Sequence, residues 1–453
     1  MYTLLKPVGG VALRWYYRSI TITGLERIPP SGPVFLAVNH PNALVDALVV
    51  GHVMPRRVRF TAKATIFANP LVARFLSAVG VVPLRRSHDE VRAGAPGDLD
   101  PSRNQASFDA VAQALAAGSA VVIFPEGKSH DDPHLAPLRT GLARMVLHAT
   151  DHHGVRGVCI VPVGLLFEHK EQPRSRILLQ VGEPLDVDAL TDGQRTVPTL
   201  TQLVTDRLAA VTLNFDSADD AERLQLVGRT LAALLEPPPA LGDDETPLSR
   251  TLAVVRRLDR GLTAVRTLGD AVLEARATAF EQRVRRFRAD LDARGLDVHD
   301  VGISAAGTPG LRFAVREALL ASLLAPVGLW GRITHFLPIR LARNLALRNV
   351  RSRDEPAMNT LVIGLVLVLL TYAVQTLLVG MVAGPWWGLA FLLTLVPSAS
   401  SDLRYGDRTR RARARARAYL RFRREPALQQ ALLAEADGIR QEAGQLERLT
   451  AGH

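Results

Sequence analysis

The stretch that decides the fold is VFLAVNHPNALVDALVV, residues 34–50. Its first five residues are all apolar, which is typical of a strand that is buried on both faces of a sheet. Asn39-His40-Pro41 interrupts the run, and a helical pattern that carries Asp46 follows it. The stretch therefore predicts a strand, a tight turn and a helix, with His40 and Asp46 on either side of the turn.

On both sides of this stretch, short Val- and Ile-rich runs alternate with helical patterns between residues 20 and 190. Such alternation predicts an α/β domain. The predicted strands are 34–38, 58–62, 120–124, 158–163 and 177–181; the main predicted helices are 105–117 and 138–149, and 87–104 is predicted to be a loop.

Length and charge narrow the class of protein. At 453 residues the chain is expected to hold two or three domains. Its net charge of +11 favours an anionic partner: lipid, phosphate-bearing substrates or nucleic acid. The single cysteine, Cys159, excludes a disulfide scaffold and a multi-cysteine zinc site, and its place in an apolar strand predicts an unreactive thiol.

The N-terminal segment, residues 1–19, has only a short apolar run followed by Trp15, Tyr16, Tyr17 and Arg18. We expect no cleavable signal peptide, because no small-residue cleavage pattern follows the run. An interfacial helix is the functional interpretation, and a plain core helix is the alternative.

The C-terminal half changes composition twice. Residues 236–247, rich in Pro and acidic residues, predict a linker between the domain at 20–235 and a helical, partly membrane-associated region at 248–355. Within that region, 318–331 is uncharged but too short to span a membrane and contains Pro326, so it predicts a re-entrant or surface-lying segment, or a buried helix.

Residues 356–401 contain no charged residue and no histidine. The run can hold two membrane helices with Gly384-Pro385 between them, so we predict a two-helix transmembrane hairpin. Arginines crowd both flanks, which predicts a multi-pass protein whose flanks and catalytic domain are cytoplasmic. The basic tail, 402–453, is expected to contact anionic headgroups rather than nucleic acid, because it has no groove-reading motif.

Three further stretches carry candidate chemistry: GVVPLRR (80–86), VVIFPEGKSHDDPHLAPLRTG (121–141) and VPVGLLF (161–167). Arg85 and Arg86 offer planar donor forks suited to phosphate oxygens. Glu126 follows a strand at the end where α/β sheets bind ligands. Lys128 and Arg139 add positive charge, whereas the His and Asp residues of 130–134 fit no standard metal pattern, so no metal site is predicted.

In this order the four stretches resemble the sequence blocks of the glycerophospholipid acyltransferases, the superfamily that holds glycerol-3-phosphate and lysophosphatidate acyltransferases. The matches are NHPNALVD (39–46), GVVPLR (80–85), FPEGKSHD (124–131) and VPVG (161–164), and the resemblance covers about residues 15–230. Most members have four residues between the His and the Asp, and this chain has five. The yeast-type glycerol-3-phosphate/dihydroxyacetone-phosphate subgroup shares that extra residue, which makes it the nearest branch.

The resemblance implies a mixed central sheet flanked by helices and an acyl transfer from acyl-CoA or acyl carrier protein, without a cofactor. The acceptor would be glycerol 3-phosphate or its monoacyl derivative. Acyl transfer to an alcohol needs a base for the hydroxyl proton, so His40 would be the base and Asp46 its orienting carboxylate. Glu126 and Gly127, with Arg85, would bind the glycerol-phosphate end; Arg86, Lys128 and Arg139 are further phosphate contacts.

Two alternatives share this fold. One is a lysophospholipid remodelling acyltransferase or transacylase with a headgroup-bearing lysolipid as acceptor. The other is a catalytically inactive membrane adaptor, for which the five-residue spacing is the only support.

Overall fold

The computed structural model describes residues 2–84, 101–235, 246–303, 307–346, 348 and 355–450. The chain packs into two compact units. The first unit contains Met1–Asp216 and Arg343–Leu365, and the second unit contains Ser217–Ala342 and Val366–His453. The helix at 218–235, which the sequence assigns to the first domain, packs in the second unit.

The first unit is built on a mixed sheet. The strands of the described residues are β1 Ser19–Thr23, β2 Val34–Val38, β3 Val58–Lys63, β4 Val82–Leu84, β5 Ala120–Ile123, β6 Cys159–Phe167, β7 Arg176–Val181 and β8 Leu185–Asp186. Their order across the sheet is β1-β7-β6-β2-β5-β3-β4, with β8 paired to β6. Strands β6, β2, β5, β3 and β4 run parallel to one another. Strands β7 and β8 pair antiparallel with β6, and β1 pairs parallel with β7.

Helices surround the sheet and make up the second unit. The described helices are α1 Tyr2–Tyr16, α2 Ala43–Val53, α3 Pro70–Val79, α4 Pro101–Ala116, α5 Gly141–Leu147, α6 Val197–Ala209, α7 Ala218–Leu235, α8 Leu248–Leu268, α9 Ala271–Ala293, α10 Gly307–Ala346, α11 Glu355–Ala383, α12 Pro385–Arg424 and α13 Pro426–Thr450. A single π-helical turn, His148–His152, follows α5 directly.

Strand β2 lies at the centre of the first unit, and all five of its residues are buried. Leu36 and Val38 pack on one face of the sheet with α1 and α2. Phe35 and Ala37 pack on the other face with α4, α5 and α6. The continuous apolar run therefore reflects a strand that is covered by helices on both sides, as the sequence predicts.

The predicted mixed sheet flanked by helices is confirmed, and all five predicted strands are present within a few residues of their predicted bounds. The sequence analysis missed β1, β4 and β8, which are short or lie at the edges of the sheet. It also placed 101–104 in a loop, whereas these residues form the first turn of α4. The rest of that loop, and residues 236–245 of the linker, lie outside the described residues.

The N-terminal helix contributes to the core of the first unit. Leu13 is fully buried and Tyr17, just after the helix, is 1% exposed, and both belong to the cluster on the α2 face of the sheet. The C-terminal end of α1 is therefore a core element, which is the alternative that the sequence left open.

Gly164 in β6 is required by a close backbone approach. A Cβ atom at this position would lie 2.1 Å from the carbonyl oxygen of Val211. We expect Gly164→Ala to destabilise the first unit by about 3 kcal/mol, the upper end for overpacking, because a backbone carbonyl cannot move aside as a flexible side chain can. Thermal unfolding of the full chain in detergent measures this. Gly193→Ala is the control, since no heavy atom lies within 4 Å of its added Cβ; equal losses in the two variants would contradict the prediction.

The second unit is helical. Its core lies among α7, α8, α9, α12 and α13, and the largest fully buried side chain there is Phe422. Arg408 on α12 donates two hydrogen bonds, both of 2.8 Å, to the carboxylate of Glu317 on α10. Apolar burial and this bidentate ion pair thus hold the described helices of the unit together.

Two helical segments in the described part of the chain are long and apolar enough to cross a membrane, judged by length and composition: Val315–Ala346 and Pro356–Ala383. Within each segment, the share of an apolar 18-residue stretch that is buried inside the protein is small: 22% in the first segment and 11% in the second. A core helix of a soluble domain would be mostly buried, so this exposure favours a lipid environment over a protein core.

These two segments differ from the predicted pair. Residues 318–331, predicted to be a re-entrant, surface-lying or buried segment, lie within α10, which continues through Pro326 to Ala346. The predicted first hairpin helix corresponds to α11, which ends at Ala383 just before Gly384. The predicted second helix is the start of α12, which runs on without a break into the arginine-rich tail and is not among the two apolar segments.

Candidate active site

The turn between β2 and α2 presents His40 at the carboxyl end of the central strand. Asn39 fixes the turn to β6: its amide donates to Leu165 O at 3.1 Å, and its Oδ1 accepts from Leu165 N at 2.6 Å. Ala43 begins α2 with a φ of 46°, in the left-handed region that residues with a Cβ avoid. Its N–H donates to Ser129 Oγ at 3.1 Å. Contacts with distant parts of the chain therefore hold this strained turn in place.

His40 and Asp46 form a direct hydrogen bond. His40 Nδ1 lies 2.9 Å from Asp46 Oδ2, which also accepts the N–H of Asn42 at 2.8 Å. The His40 ring stacks on Phe124, with ring centroids 4.0 Å apart. With Nδ1 donating to the carboxylate, a neutral imidazole carries its lone pair on Nε2, and this nitrogen can accept a proton.

The Asp46 carboxyl is completely buried. Burial raises its pKa, while the hydrogen bonds from His40 and Asn42 act in the opposite direction. A proton taken up by the imidazole would place a positive charge against this buried carboxylate. The pair is therefore built to stabilise an imidazolium ion.

Glu126 connects the same turn to the loop after β5. The residue is 2% exposed; its Oε1 accepts the N–H of His40 at 2.7 Å, and its Oε2 accepts the N–H of Ala136 at 3.0 Å. His130 Nε2 makes a further hydrogen bond to Oε2. Glu126 thus holds the backbone of His40 and the loop in register.

His130 is a site residue whose role the sequence reasoning missed. Its side chain is 10% exposed and is packed between Glu126 and Asp132, whose Oδ2 lies 3.2 Å from Nδ1. The hydrogen bond to Glu126 raises the pKa of His130 above its usual value. The signal was present in the FPEGKSHD block (124–131), where His130 follows Glu126 by four residues.

The raised pKa of His130 makes the stability of the fold depend on pH. A raised folded-state pKa gives stabilisation that is complete below the unfolded pKa of about 6.5 and is lost as pH rises through the folded value. We expect His130→Gln to lower stability by about 1.5–3 kcal/mol at pH 6, the range for a charged hydrogen bond, and by less at pH 9. Melting temperatures of the full chain across this pH range measure the difference. His134→Gln, at an exposed position of the same loop, is the control; a His130→Gln deficit that grows with pH would contradict the prediction.

Of the remaining predicted ligand residues, the structure describes three and leaves two outside the described residues. Gly127 forms the turn after Glu126 with a φ of 81°, and its N–H donates to Phe124 O at 3.1 Å. Lys128 and Arg139 lie on the same loop with exposed side chains, and the N–H of Arg139 donates to Pro125 O at 2.8 Å. Arg85 and Arg86 lie outside the described residues. The structure thus joins His40, Asp46 and Glu126 by hydrogen bonds and places two exposed cations on the adjoining loop.

A further contact to the turn comes from Lys170, which the sequence analysis did not single out. Its Nζ donates to Pro41 O at 3.1 Å and forms an ion pair with Asp131. Asn42, fully buried, donates its amide to Tyr17 OH at 3.1 Å. Lys170 has no motif signal, since it follows β6 and reaches the turn only through the fold.

A base held by a buried carboxylate, and anchored to the F-P-E-G loop, is the arrangement that the sequence blocks imply. The sequence model described as Acyltransferase matches residues 19–166, which span β1 to β6 and every hydrogen bond of the His40–Asp46–Glu126 cluster. Residues 19–166 form an acyltransferase domain, and this domain is similar to members of the glycerophospholipid acyltransferase superfamily.

Relatives of this acyltransferase domain come from yeast and plants. Glycerol-3-phosphate O-acyltransferase 2 of Saccharomyces cerevisiae is 32% identical over 44% of this chain and 26% of its own length. Glycerol-3-phosphate O-acyltransferase 1 of the same yeast is 39% identical over 38% of this chain and 33% of its own length. The chloroplastic 1-acyl-sn-glycerol-3-phosphate acyltransferase LPAT1 of Arabidopsis thaliana is 26% identical over 38% of this chain and 42% of its own length.

The matched region thus spans between about a quarter and two fifths of these relatives. Among solved structures, the 1-acyl-sn-glycerophosphate acyltransferase PlsC of Thermotoga maritima covers 46% of this chain and 79% of its own, with a TM-score of 0.35 and 16% identity. That likeness is too distant to carry an argument. The yeast relatives agree with the subgroup that the five-residue spacing indicates.

Proposed function

We propose that this protein is a membrane-bound O-acyltransferase that transfers a fatty acyl group from a thioester, acyl-CoA or acyl carrier protein, to a hydroxyl of glycerol 3-phosphate or 1-acylglycerol 3-phosphate. The observation that carries the proposal is the hydrogen bond between His40 Nδ1 and the buried Asp46 carboxylate. It leaves Nε2 as a base at the carboxyl end of the central strand. The printed activities of the yeast and plant relatives support the choice of acceptor.

The proposed reaction has two proton transfers. His40 Nε2 takes the proton of the acceptor hydroxyl while that oxygen attacks the thioester carbonyl carbon. The tetrahedral intermediate then collapses, the C–S bond breaks, and the imidazolium returns the proton to the leaving thiolate. Asp46 stabilises the imidazolium between the two steps. The substrate hydroxyl is the nucleophile, so the chain needs no nucleophile of its own.

The acceptor's phosphate is assigned to the cationic residues around the F-P-E-G loop. Lys128 and Arg139 are exposed on this loop. The sequence adds Arg85, the last residue of the GVVPLR block, and Arg86 beside it. Gly127 allows the backbone to turn close to the acceptor. Glu126, which the resemblance assigns to the glycerol-phosphate end of the acceptor, would act there by holding His40 and the loop in position.

Cys159 has no part in this proposal. Burial raises the pKa of its thiol to about 11, so the thiolate is scarce at neutral pH. The thiol is also in β6, at the end of the strand that lies away from Leu165 and the His40 turn.

The membrane location is proposed from the two exposed apolar segments, Val315–Ala346 and Pro356–Ala383. Bilayer attachment suits an enzyme whose product is a lipid. The arginine-rich start of the C-terminal tail would face anionic headgroups. With two crossings, at Val315–Ala346 and Pro356–Ala383, the catalytic domain and this tail would both lie on the cytoplasmic side.

The test is an acceptor panel with the full chain purified in detergent. Labelled acyl-CoA or acyl carrier protein is offered with glycerol 3-phosphate, 1-acylglycerol 3-phosphate or lysophosphatidylcholine. We expect product with one of the two phosphate monoesters and little with lysophosphatidylcholine. A preference for lysophosphatidylcholine would indicate a remodelling enzyme, and the absence of product with every donor and acceptor would indicate an inactive adaptor; either result would overturn the proposal.

A further inference from the structure

Three metal-ligating side chains meet on the helical side of the sheet that faces away from α1 and α2. Oδ1 of Asp109, on α4, lies 2.7 Å from Nε2 of His148 and 2.8 Å from Nε2 of His153. The three ligand atoms all lie within 4.8 Å of one another. No part of the proposed acyl transfer uses these residues.

The backbone after α5 creates this convergence. The helix widens into a π-turn at His148–His152, and Gly154 then reverses the chain with a φ of 65°. A π-turn closes at i+5, so it brings His148 and His153 to the same side, whereas a regular α-helix would pair His148 with His152. Val155 N–H donates to Ala149 O at 3.0 Å and closes the turn. Single π-turns of this kind are frequent at functional sites.

The donor set indicates the class of ion. Two imidazole nitrogens and one carboxylate oxygen suit a borderline transition metal such as Zn²⁺, whereas Mg²⁺ and Ca²⁺ prefer oxygen ligands alone. The side chains of Asp109, His148 and His153 are 37%, 12% and 31% exposed, so an ion can reach them from solvent. The ring of His152 lies 5.1 Å from that of His148 and adds a nearby imidazole.

The cluster is separate from the candidate active site. His153 precedes the start of β6, and α4 leads into the start of β5, whereas His40 and Glu126 follow the ends of β2 and β5. Because these strands are parallel, their starts and ends lie at opposite edges of the sheet. An ion at the cluster would therefore act on the fold, through the joint between α4 and the end of α5, and would not enter the reaction.

We propose that Asp109, His148 and His153 form a binding site for a divalent transition-metal ion of the zinc class, which ties α4 to the π-turn after α5. Three ligands from two elements cross-link those elements when the ion binds. Binding to the native state alone raises stability by mass action.

The experiment titrates the full chain, purified in detergent and stripped with a chelator, with Zn²⁺ and with Co²⁺, whose visible spectrum reports its ligands. We expect one equivalent of Zn²⁺ to bind and raise the melting temperature, and Mg²⁺ at the same concentration to have no effect. His153→Gln should weaken Zn²⁺ binding by about 100-fold or more, since loss of even an outer-shell partner typically costs 10–100-fold.

Two further variants complete the design. His134→Gln removes an exposed histidine outside the cluster and should bind Zn²⁺ like the wild type. His148→Gln provides a second ligand deletion if His153→Gln does not fold, which the melting curve without metal shows. Equal Zn²⁺ affinity in the wild type and a folded ligand variant, or no stoichiometric binding by the wild type, would overturn the proposal.

Discussion

Replacing His40 with alanine is expected to lower kcat for acyl transfer by about 10² to 10⁴, the usual contribution of a general base. The substitution removes the only imidazole that is hydrogen-bonded to Asp46 among the described residues, and with it the Nε2 that takes the hydroxyl proton. The measurement is the initial rate of product formation by the full chain with its preferred acceptor.

The matched control for this experiment is His134→Ala. His134 is exposed and lies on the loop that carries Glu126, so its loss tests the effect of removing a nearby histidine without removing the base. It should keep the wild-type rate within about twofold. Product formation by His40→Ala at the wild-type rate, with both proteins folded, would rule out His40 as the base while leaving the acyltransferase assignment itself open to the acceptor panel.

Replacing Asp46 with asparagine is expected to lower kcat by about 10² to 10⁴ with little change in KM. The side chain keeps its size, but a neutral amide cannot stabilise the imidazolium that forms at His40. The effect is expected in the chemical step, because the Asp46 side chain is fully buried behind His40. Steady-state kinetics over a range of acceptor concentrations separate kcat from KM.

Asp192→Asn is the control for loss of a carboxylate, since Asp192 is exposed in a loop outside the site. It should leave both constants unchanged. If Asp46→Asn raised KM and left kcat intact, Asp46 would act in binding, and the two-residue base proposed here would be wrong.

The sequence was most informative where one segment of chain carried a complete pattern. Strand β2, the turn at Asn39–Pro41 and helix α2 follow from a buried apolar run, a proline and an apolar helical stretch. The His40–Asp46 contact follows from the same segment, because six residues across a tight turn place the two side chains within reach. The four sequence blocks then placed the domain in its superfamily.

The partners of Glu126 could not be predicted in this way. Its Oε1 accepts the N–H of His40, which is 86 positions away in the sequence. The two residues become neighbours only when β2 and β5 pair in parallel. Lys170 is 129 positions from Pro41, whose carbonyl it binds. The continuation of α10 through Pro326 could not be predicted either, because a proline inside a helix removes a backbone hydrogen bond and locally favours a break.

Local sequence thus determined the α/β class, the central strand–turn–helix and the pairing of His40 with Asp46, because each depends on residues close together in the chain. Tertiary structure alone decided what holds His40 in place and where Asp109 meets His148 and His153. Those contacts depend on strand pairing and on a π-turn, and neither of these two features can be recognised from a pattern in the sequence. Hydrogen bonds between distant segments form only after the sheet has brought them together, so they leave no periodic signal in the sequence.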